Sequence, residues 1–329
     1  MGSGAAVEYY VDPLVMAWKV MGRIFDPAEH DWAGSHAQVP TPLIFDRHIR
    51  IFYADRFPDG RSYTTYLDVD RADPGRVIYT HKVPILPFGQ PGTFDDDGVM
   101  PSFALRHEGR TLLYYSGWNR GVTVPYRNSV GIAVSDDDGD SFRRLFEGPV
   151  LERNPLEPYI AVTPSILIDE YPTGESEWRM WYISGLHWTK VGDKFEPVYV
   201  IKDASSRDGI NWVRPNRQCI PQAHVNEAFS HPTVIRRDAA HHMWYCYRDS
   251  EDYRDGGGAY RIGYACSADG IEWRRLDHTE GLGVLEEPWA STMTCYPFVT
   301  VIDDRTVMFF NGNGFGRTGF GWALWEPGA

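Results

Sequence analysis

The chain has 329 residues and a formal charge of −13 at pH 7, which repels phosphate backbones and anionic membranes and argues against nucleic-acid or membrane partners. It has no run of 18 apolar residues, and its N-terminus lacks the basic and apolar segments of a signal peptide, so we expect a cytoplasmic protein. Aromatic residues make up 14%, which favours repeated packing or a carbohydrate-facing surface.

An apolar strand opened by proline recurs along the chain. The repeats are Thr41-Pro42, Met100-Pro101, Thr163-Pro164, His231-Pro232 and Tyr296-Pro297, with prolines 59, 63, 68 and 65 residues apart. Each is followed by a second, aromatic-rich strand, such as TLLYYSGWN from position 111. Because proline is tolerated at the start or edge of a strand, we expect each proline to mark the beginning of an innermost strand.

A turn containing Asp-Gly and an aromatic residue also recurs. It appears at Asp138-Gly139, Asp208-Gly209 and Asp269-Gly270, each followed by Phe or Trp. Five repeats of roughly 60 residues, each with about four antiparallel strands, predict an all-β, five-bladed β-propeller that spans residues 1–329 as a single domain. A pair of β-sandwiches would not repeat one motif five times, and the coil of a β-helix is shorter.

The loops that enter the innermost strands of a propeller converge on a central channel. Carboxylates near these entries are the candidate catalytic acids and bases: Asp97, Glu157, Glu227 and Glu287. Side chains in the same loops are the candidate substrate-binding residues: Asp55, Arg56, Trp118, Asn119, Trp188, His231, Arg248, Trp289 and Asn311. Polar groups and aromatic faces around one pit suit a small-molecule carbohydrate or glycoside. The alternatives are a solvated loop position for each carboxylate and a core position for His231.

The sequence contains no pattern for a metal site or a cofactor. The four cysteines are widely spaced and lack CxxC or CxxH spacing, so we interpret them as buried thiols. The acidic residues 95–97 lack the alternating ligand spacing of an EF-hand. We therefore predict no metal and no cofactor.

The TPSI and YPFV inner strands, the YYSGWN strand, the SxDGxxW turns and the NGNGFGRTGFGWA ending resemble the five-bladed propeller glycosidases. This superfamily contains glycoside hydrolase families 32, 43, 68, 117 and 130, and the similarity extends from about Trp32 to Trp325. The chain looks most similar to an uncharacterised, glycosyl-hydrolase-like branch. The resemblance implies that a pair of carboxylates cleaves or transfers a glycosyl unit in the central pocket.

The resemblance places Asp97 at the position of the second-blade aspartate. The positions of the first-blade aspartate and the third-blade glutamate are occupied here by residues 39–41 and 161–163. We therefore predict a carbohydrate-active enzyme of the hydrolase or phosphorylase type, with Arg56, Arg248 and Arg254 available for phosphate. The alternative is a non-hydrolytic propeller that binds or tailors a sugar-containing metabolite. The oligomeric state stays open.

Overall fold

The computed structural model describes residues 17–171, 175–254 and 257–326, and these ranges are almost entirely β-structure. Short helical turns occur at Pro27–Glu29, Asp277–Glu280, Pro288–Ala290 and Asn313–Gly316. Within these ranges, no helix is long and apolar enough to cross a membrane. The strands in chain order are β1 (Ala17–Phe25), β2 (Ala37–Ile44), β3 (His48–Arg56), β4 (Ser62–Asp70), β5 (Val77–Thr80), β6 (Gly98–His107), β7 (Arg110–Arg120), β8 (Tyr126–Ser135), β9 (Arg143–Arg144), β10 (Ala161–Glu170), β11 (Ser176–Val191), β12 (Lys194–Ser206), β13 (Glu227–Arg237), β14 (Ala240–Asp249), β15 (Arg261–Ser267), β16 (Arg274–Arg275), β17 (Cys295–Ile302), β18 (Arg305–Asn311) and β19 (Phe320–Glu326).

The strands form antiparallel units in which consecutive strands pair with each other. The first unit is β2 to β5 and the second is β6 to β9, and one parallel pair, Ser62 with Gly98, joins them into one sheet. The third unit is β10 to β12 and the fourth is β13 to β16. The fifth unit has the order β17-β18-β19-β1, so the N-terminal strand completes the last sheet. The all-β prediction is therefore confirmed.

The first strands of the units lie side by side. Strand β2 contacts β6, β6 contacts β10, β10 contacts β13, β13 contacts β17, and β17 contacts β2. The hydrophobic core is divided in the same way, because each of five buried clusters combines residues of two consecutive units. The core thus consists of layers between neighbouring sheets.

The second strand of each unit, here called the middle strand, carries two adjacent aromatic residues that pack in these layers. Neighbouring residues of a strand point to opposite faces, so the two rings of a pair enter different layers. Trp181 packs in the layer shared with the fourth unit, whereas Tyr182 packs in the layer shared with the second. All ten side chains are fully buried. The pairs are Phe52 with Tyr53, Tyr114 with Tyr115, Trp181 with Tyr182, Trp244 with Tyr245, and Phe309 with Phe310.

The recurring prolines lie inside the first strands, at β-bulges, and not at the strand beginnings that the sequence predicted. Two residues of the first strand oppose one residue of the middle strand at Thr163-Pro164, His231-Pro232 and Tyr296-Pro297. In the first unit the bulge is Val39-Pro40, so the predicted repeat at Thr41-Pro42 is wrong by two residues. The cause is a second proline in VPTP, which gave the pattern two possible registers.

The bulge residue before proline has a left-handed backbone in four units. The φ angles of Val39, Thr163, His231 and Tyr296 are 53°, 49°, 48° and 53°. The second unit differs, because its register shift lies between Pro101 and Phe103. Pro101 is the first residue of this shift, and a proline cannot adopt a positive φ. Bulges bend a strand and redirect side chains, so these positions can turn toward a common centre.

Candidate functional site

A cavity of about 260 Å³ lies where the first strands meet, and all units contribute to its lining. Bulge residues from four units face it, together with Met100 and Pro101 of the second unit. All four bulge residues with a left-handed backbone are therefore part of the cavity lining. The other lining residues are Gln38, Arg56, Ser116, Trp118, Tyr126, Asn128, Ile160, Val162, Ile183, Tyr199, Ser230, Tyr253, Arg254, Tyr260 and Phe315.

Several cavity-lining side chains carry a buried polar atom that has no hydrogen-bond partner among the described residues. These atoms are Arg56 Nε, Asn128 Oδ1, Thr163 Oγ1 and His231 Nε2. Buried polar groups in native proteins are nearly always paired with protein, water or ligand. Because these atoms belong to residues that line one cavity, the cavity is the candidate binding site.

His231 presents a hydrogen-bond acceptor to this cavity. Its Nδ1 lies 3.2 Å from the carbonyl oxygen of Pro297, which can only accept, so Nδ1 carries the proton. Burial lowers the pKa of His231 to about 4, although the bond to Pro297 opposes the shift. The ring is therefore neutral at pH 7, and Nε2 is left with a free lone pair.

Tyrosines form one side of the cavity, above a buried arginine. The hydroxyls of Tyr199 and Tyr260 are 2.7 Å apart, and Arg248 Nε donates to Tyr260 at 3.1 Å. The Arg248 guanidinium lies 3.7 Å from the ring centre of Tyr253 and donates to the carbonyl oxygen of Pro197. The predicted substrate-binding residue Arg248 thus lies beneath the tyrosines that line the cavity and fixes their position.

The predicted catalytic residue Glu157 lies in a buried ion cluster outside the cavity lining. It accepts a hydrogen bond from Tyr182 at 2.9 Å, and Lys202 and Arg214 each lie 3.6 Å from its carboxylate. Its side chain is fully buried. The geometry explains Glu157 as the partner of an interior tyrosine and two cations.

Glu227, in the fourth unit, is also bound by an interior cation. Both of its carboxylate oxygens accept from Arg275, at 2.6 and 2.9 Å, and it also accepts from the backbone N–H of Ala223. Arg275 pairs with Asp277 as well, and Asp277 accepts from Tyr245 at 2.6 Å. Glu227 is therefore also outside the cavity lining.

The remaining two catalytic candidates lie nearer the surface. Asp97 accepts from the backbone N–H of Arg120 at 2.8 Å, with the guanidinium of that residue 3.6 Å away. Glu287 is exposed beside the turn at Pro288–Ala290. In the described part of the chain, no aspartate or glutamate lines the cavity. The catalytic roles of Asp97, Glu157, Glu227 and Glu287 stay predictions without a shared location.

Three predicted substrate-binding residues, Arg56, Trp118 and His231, line the cavity, and the others do not. Asp55 is buried and accepts from Gly34 and Tyr63. Asn311 joins the fifth unit to the first, because its Oδ1 accepts from Val39 N at 2.8 Å and its Nδ2 donates to Ala37 O at 2.6 Å.

The other three substrate-binding candidates have packing roles. Asn119 donates to the carbonyl oxygen of Thr93 at 3.0 Å. Trp188 packs edge-on against the cavity-lining Tyr126, with ring centres 5.5 Å apart. Trp289 is buried against Phe310 at 5.3 Å. Their aromatic and amide groups are thus used within the protein.

A repeated arginine that was not predicted from the sequence pairs with the buried carboxylates of the second, third and fourth units. In each Asp-Gly turn, an arginine follows two residues after the aromatic residue, giving Arg144, Arg214 and Arg275. Arg144 pairs with Asp95, which accepts from Tyr115 at 2.9 Å. The same arrangement of tyrosine, carboxylate and cation recurs in the second, third and fourth units. The six-residue spacing from Asp to Arg was the available signal.

Solved structures of glycoside hydrolases share this fold. A glycoside hydrolase aligns with a TM-score of 0.70 at 15% identity, covering 95% of this chain and 92% of its own. A complex of BT0996 with RGII gives 0.69 at 16% identity, covering 94% and 91%. A structure from the family 130 mannoside phosphorylases and hydrolases gives 0.64 at 15% identity, covering 96% and 95%. The chain therefore has the fold of the propeller-type glycosidases, as the resemblance predicted.

The family is defined by closer relatives in sequence. The uncharacterized proteins MT1551 and Rv1502, from Mycobacterium tuberculosis strains CDC 1551 and H37Rv, are each 38% identical over 314 residues. The match covers 94% of this chain and 100% of each relative. The chain belongs to the family of these mycobacterial proteins. No family model matches it.

Proposed function

We propose that this protein is a single five-bladed β-propeller domain over residues 1–329 that binds a small carbohydrate or glycoside in its central cavity without hydrolysing it. Five inter-sheet core layers, together with the contact between β17 and β2, support the blade number. A ring of sheets brings one strand of each blade to the axis, where a ligand can contact all of them.

The unpartnered polar atoms among aromatic rings carry the proposal. A sugar offers hydroxyls that both donate and accept, and its CH faces stack on aromatic rings. Thr163 Oγ1 and Asn128 Oδ1 supply hydroxyl and amide groups, while Trp118 and Tyr126 supply rings. The volume of about 260 Å³ suits a monosaccharide or a chain end better than the interior of a polymer.

The lining of the cavity disfavours glycosidase chemistry. Hydrolysis by this class of enzyme needs two carboxyl groups that flank the scissile bond, about 5 to 10 Å apart. Among residues 17–171, 175–254 and 257–326, the cavity lining contains no carboxylate, and Glu157 and Glu227 are bound by interior cations. A fold can be retained while its chemistry is lost, so the fold alone does not imply hydrolysis.

Thr163→Val tests the binding site, because it keeps the branched shape and removes the unpartnered hydroxyl. We expect the affinity for a bound saccharide, found by screening a panel with calorimetry, to fall about fivefold, as for one lost hydrogen bond. Thr80→Val, on the outermost strand of the first unit, is the matched control and should bind normally. Saccharide binding that both variants leave unchanged would place the ligand elsewhere.

The absence of hydrolysis is tested separately with aryl glycosides, with and without phosphate. We expect no release of the aryl group. The non-hydrolytic proposal would be refuted if the wild-type protein released the aryl group and Asp97→Asn or Glu157→Gln abolished that release while the variant remained folded. That result would support the carboxylate mechanism predicted from the sequence.

A further inference from the structure

Several arginines lie at the cavity, although the net charge of the protein is −13. Arg56 and Arg254 line it, the exposed Arg317 lies close enough to act on Arg56, and Arg248 is buried beneath the tyrosines. Of these four, Arg254 is bound to a carboxylate, that of Glu196 at 2.7 Å. An acidic protein that gathers cations at one cavity creates a local field that attracts anions.

Arg56 is available to a ligand. One of its terminal nitrogens donates to Gln38 Oε1 at 3.0 Å, and its buried Nε has no partner among the described residues. The neighbouring Asp55 is occupied by Gly34, Tyr63 and the backbone N–H of Arg56. A guanidinium with free donors in a partly buried site is the group that binds carboxylates and phosphates through paired hydrogen bonds.

The pKa values of two groups are lowered mainly by burial and further by these arginines. Burial lowers the pKa of Arg56, Tyr296 opposes this shift, and Arg317 and Arg254 lower the pKa further. Burial also lowers the pKa of His36 to about 4, with Arg56 and Arg317 contributing in the same direction. An anion placed between the arginines would raise both pKa values back toward their ordinary range.

We infer that the carbohydrate bound in this cavity carries an anionic substituent, a carboxylate or a phosphate ester, and that Arg56 binds this group. The inference rests on the proposed function and adds the chemical class of its ligand. The aromatic rings and the unpartnered hydroxyl and amide atoms then contact the neutral part of the sugar. Arg254, oriented by Glu196, lies on the same lining as a second cation.

The test compares matched ligands by calorimetry. The panel contains methyl glucoside, methyl glucuronide, glucose 6-phosphate and inorganic phosphate, followed by the corresponding galactose and mannose series. We expect an anionic sugar to bind at least about tenfold more tightly than its neutral counterpart, because hydrogen bonds to a charged group are stronger than those between neutral groups. The carboxylate and phosphate arms identify which substituent is bound.

The variant Arg56→Gln removes the charge and keeps a donor. We expect it to lose about tenfold in affinity for the anionic sugar and little for the neutral one, while Arg56→Lys retains part of the preference. Arg76→Gln, which breaks a surface pair with Asp70, is the control and should leave both affinities unchanged. In the wild-type protein, raising the salt from about 0.05 M to about 0.5 M should weaken binding of the anionic sugar alone.

The outcomes separate the two proposals. Equal binding of neutral and anionic sugars, insensitive to salt and to Arg56→Gln, would overturn this inference and leave carbohydrate binding intact. Inorganic phosphate that binds as tightly as the sugar phosphate would also overturn it, because the cations would then serve a free anion. Failure of every sugar series to bind would refute the proposed function itself.

Discussion

At the scale of single residues, two of the carboxylates that look catalytic in the sequence, Glu157 and Glu227, are bound by interior cations. Glu157 accepts from Tyr182 at 2.9 Å and faces Lys202 and Arg214, with its own side chain fully buried. Taking a carboxylate out of water is costly unless cations and donors surround it. In the repeated cluster of tyrosine, carboxylate and cation, each member therefore depends on the others to remain buried.

Glu157→Gln should destabilise the fold, because it leaves Lys202 and Arg214 buried without their counter-charge. We expect a loss of about 3 kcal/mol in the free energy of unfolding, measured by urea denaturation. Glu177→Gln removes an exposed carboxylate from the middle strand of the same unit and should cost little. Equal stability of the two variants would mean that the Glu157 cluster does not support the fold.

At the scale of elements, the bulged first strands connect the fold to the cavity. Val39 and Thr163 are β-branched yet have φ angles of 53° and 49°. Such residues rarely adopt the left-handed region. The bulges are retained against this strain, and the bulge residues of four units line the cavity. The strain is therefore located where a ligand would bind.

The backbone strain at Thr163 is measurable by comparing Thr163→Gly with Thr163→Ala. Both variants lose the side chain, so their difference reports the backbone alone. We expect the glycine variant to be the more stable by about 1 kcal/mol, since glycine has no Cβ to clash at positive φ. At Thr300, an ordinary position of β17, the order should reverse. An alanine variant that is the more stable at both positions would contradict the left-handed bulge.

At the scale of the whole molecule, the N-terminal strand β1 completes the sheet formed by the last three strands. Trp18 pairs with Trp325 of β19, and its ring lies 5.6 Å from that of Trp244 in the fourth unit. Its Nε1 also donates to the carbonyl oxygen of Glu280 at 3.1 Å. One side chain from the beginning of the described chain thus joins the fourth and fifth units.

Trp18→Ala should weaken the whole structure by about 3 kcal/mol, because it empties a large buried volume between two sheets. Thermal unfolding would show this as a lower Tm of one cooperative transition. Met21→Ala, at a largely exposed position of the same strand, should change Tm little. A Tm that responds equally to both substitutions would show that β1 does not close the last sheet through Trp18.

Much of the fold follows from local patterns in the sequence. The aromatic pairs, such as Trp181 with Tyr182, alternate between the two faces of a strand. The proline signal recurs in every unit and the Asp-Gly signal in three of them, so strands and repeats were predictable. The exact register of VPTP was not, because Pro40 and Pro42 fit the local pattern equally well. The bulge at Val39 depends on Asn311, which is 272 residues away in the chain.

The candidate site was less predictable than the fold. Arg56, Trp118 and His231 were identified because they lie next to repeating strand signals. Tyr199 and Tyr260 were missed, since an aromatic residue on a strand looks like core until its neighbours are known. Glu227 was misleading for the opposite reason, because its partner Arg275 is 48 residues away and invisible to a local pattern.

The sequence by itself determined the all-β class, the repeating unit and the residues that alternate between core layers, because these depend on interactions between near neighbours. Only the tertiary structure decided which polar side chains share a cavity and which carboxylates are bound by cations. Those outcomes depend on contacts between distant segments and on the depth of burial, as for Glu157 and Arg56. The absence of carboxylates from the described lining of the cavity is therefore a property of the assembled sheets.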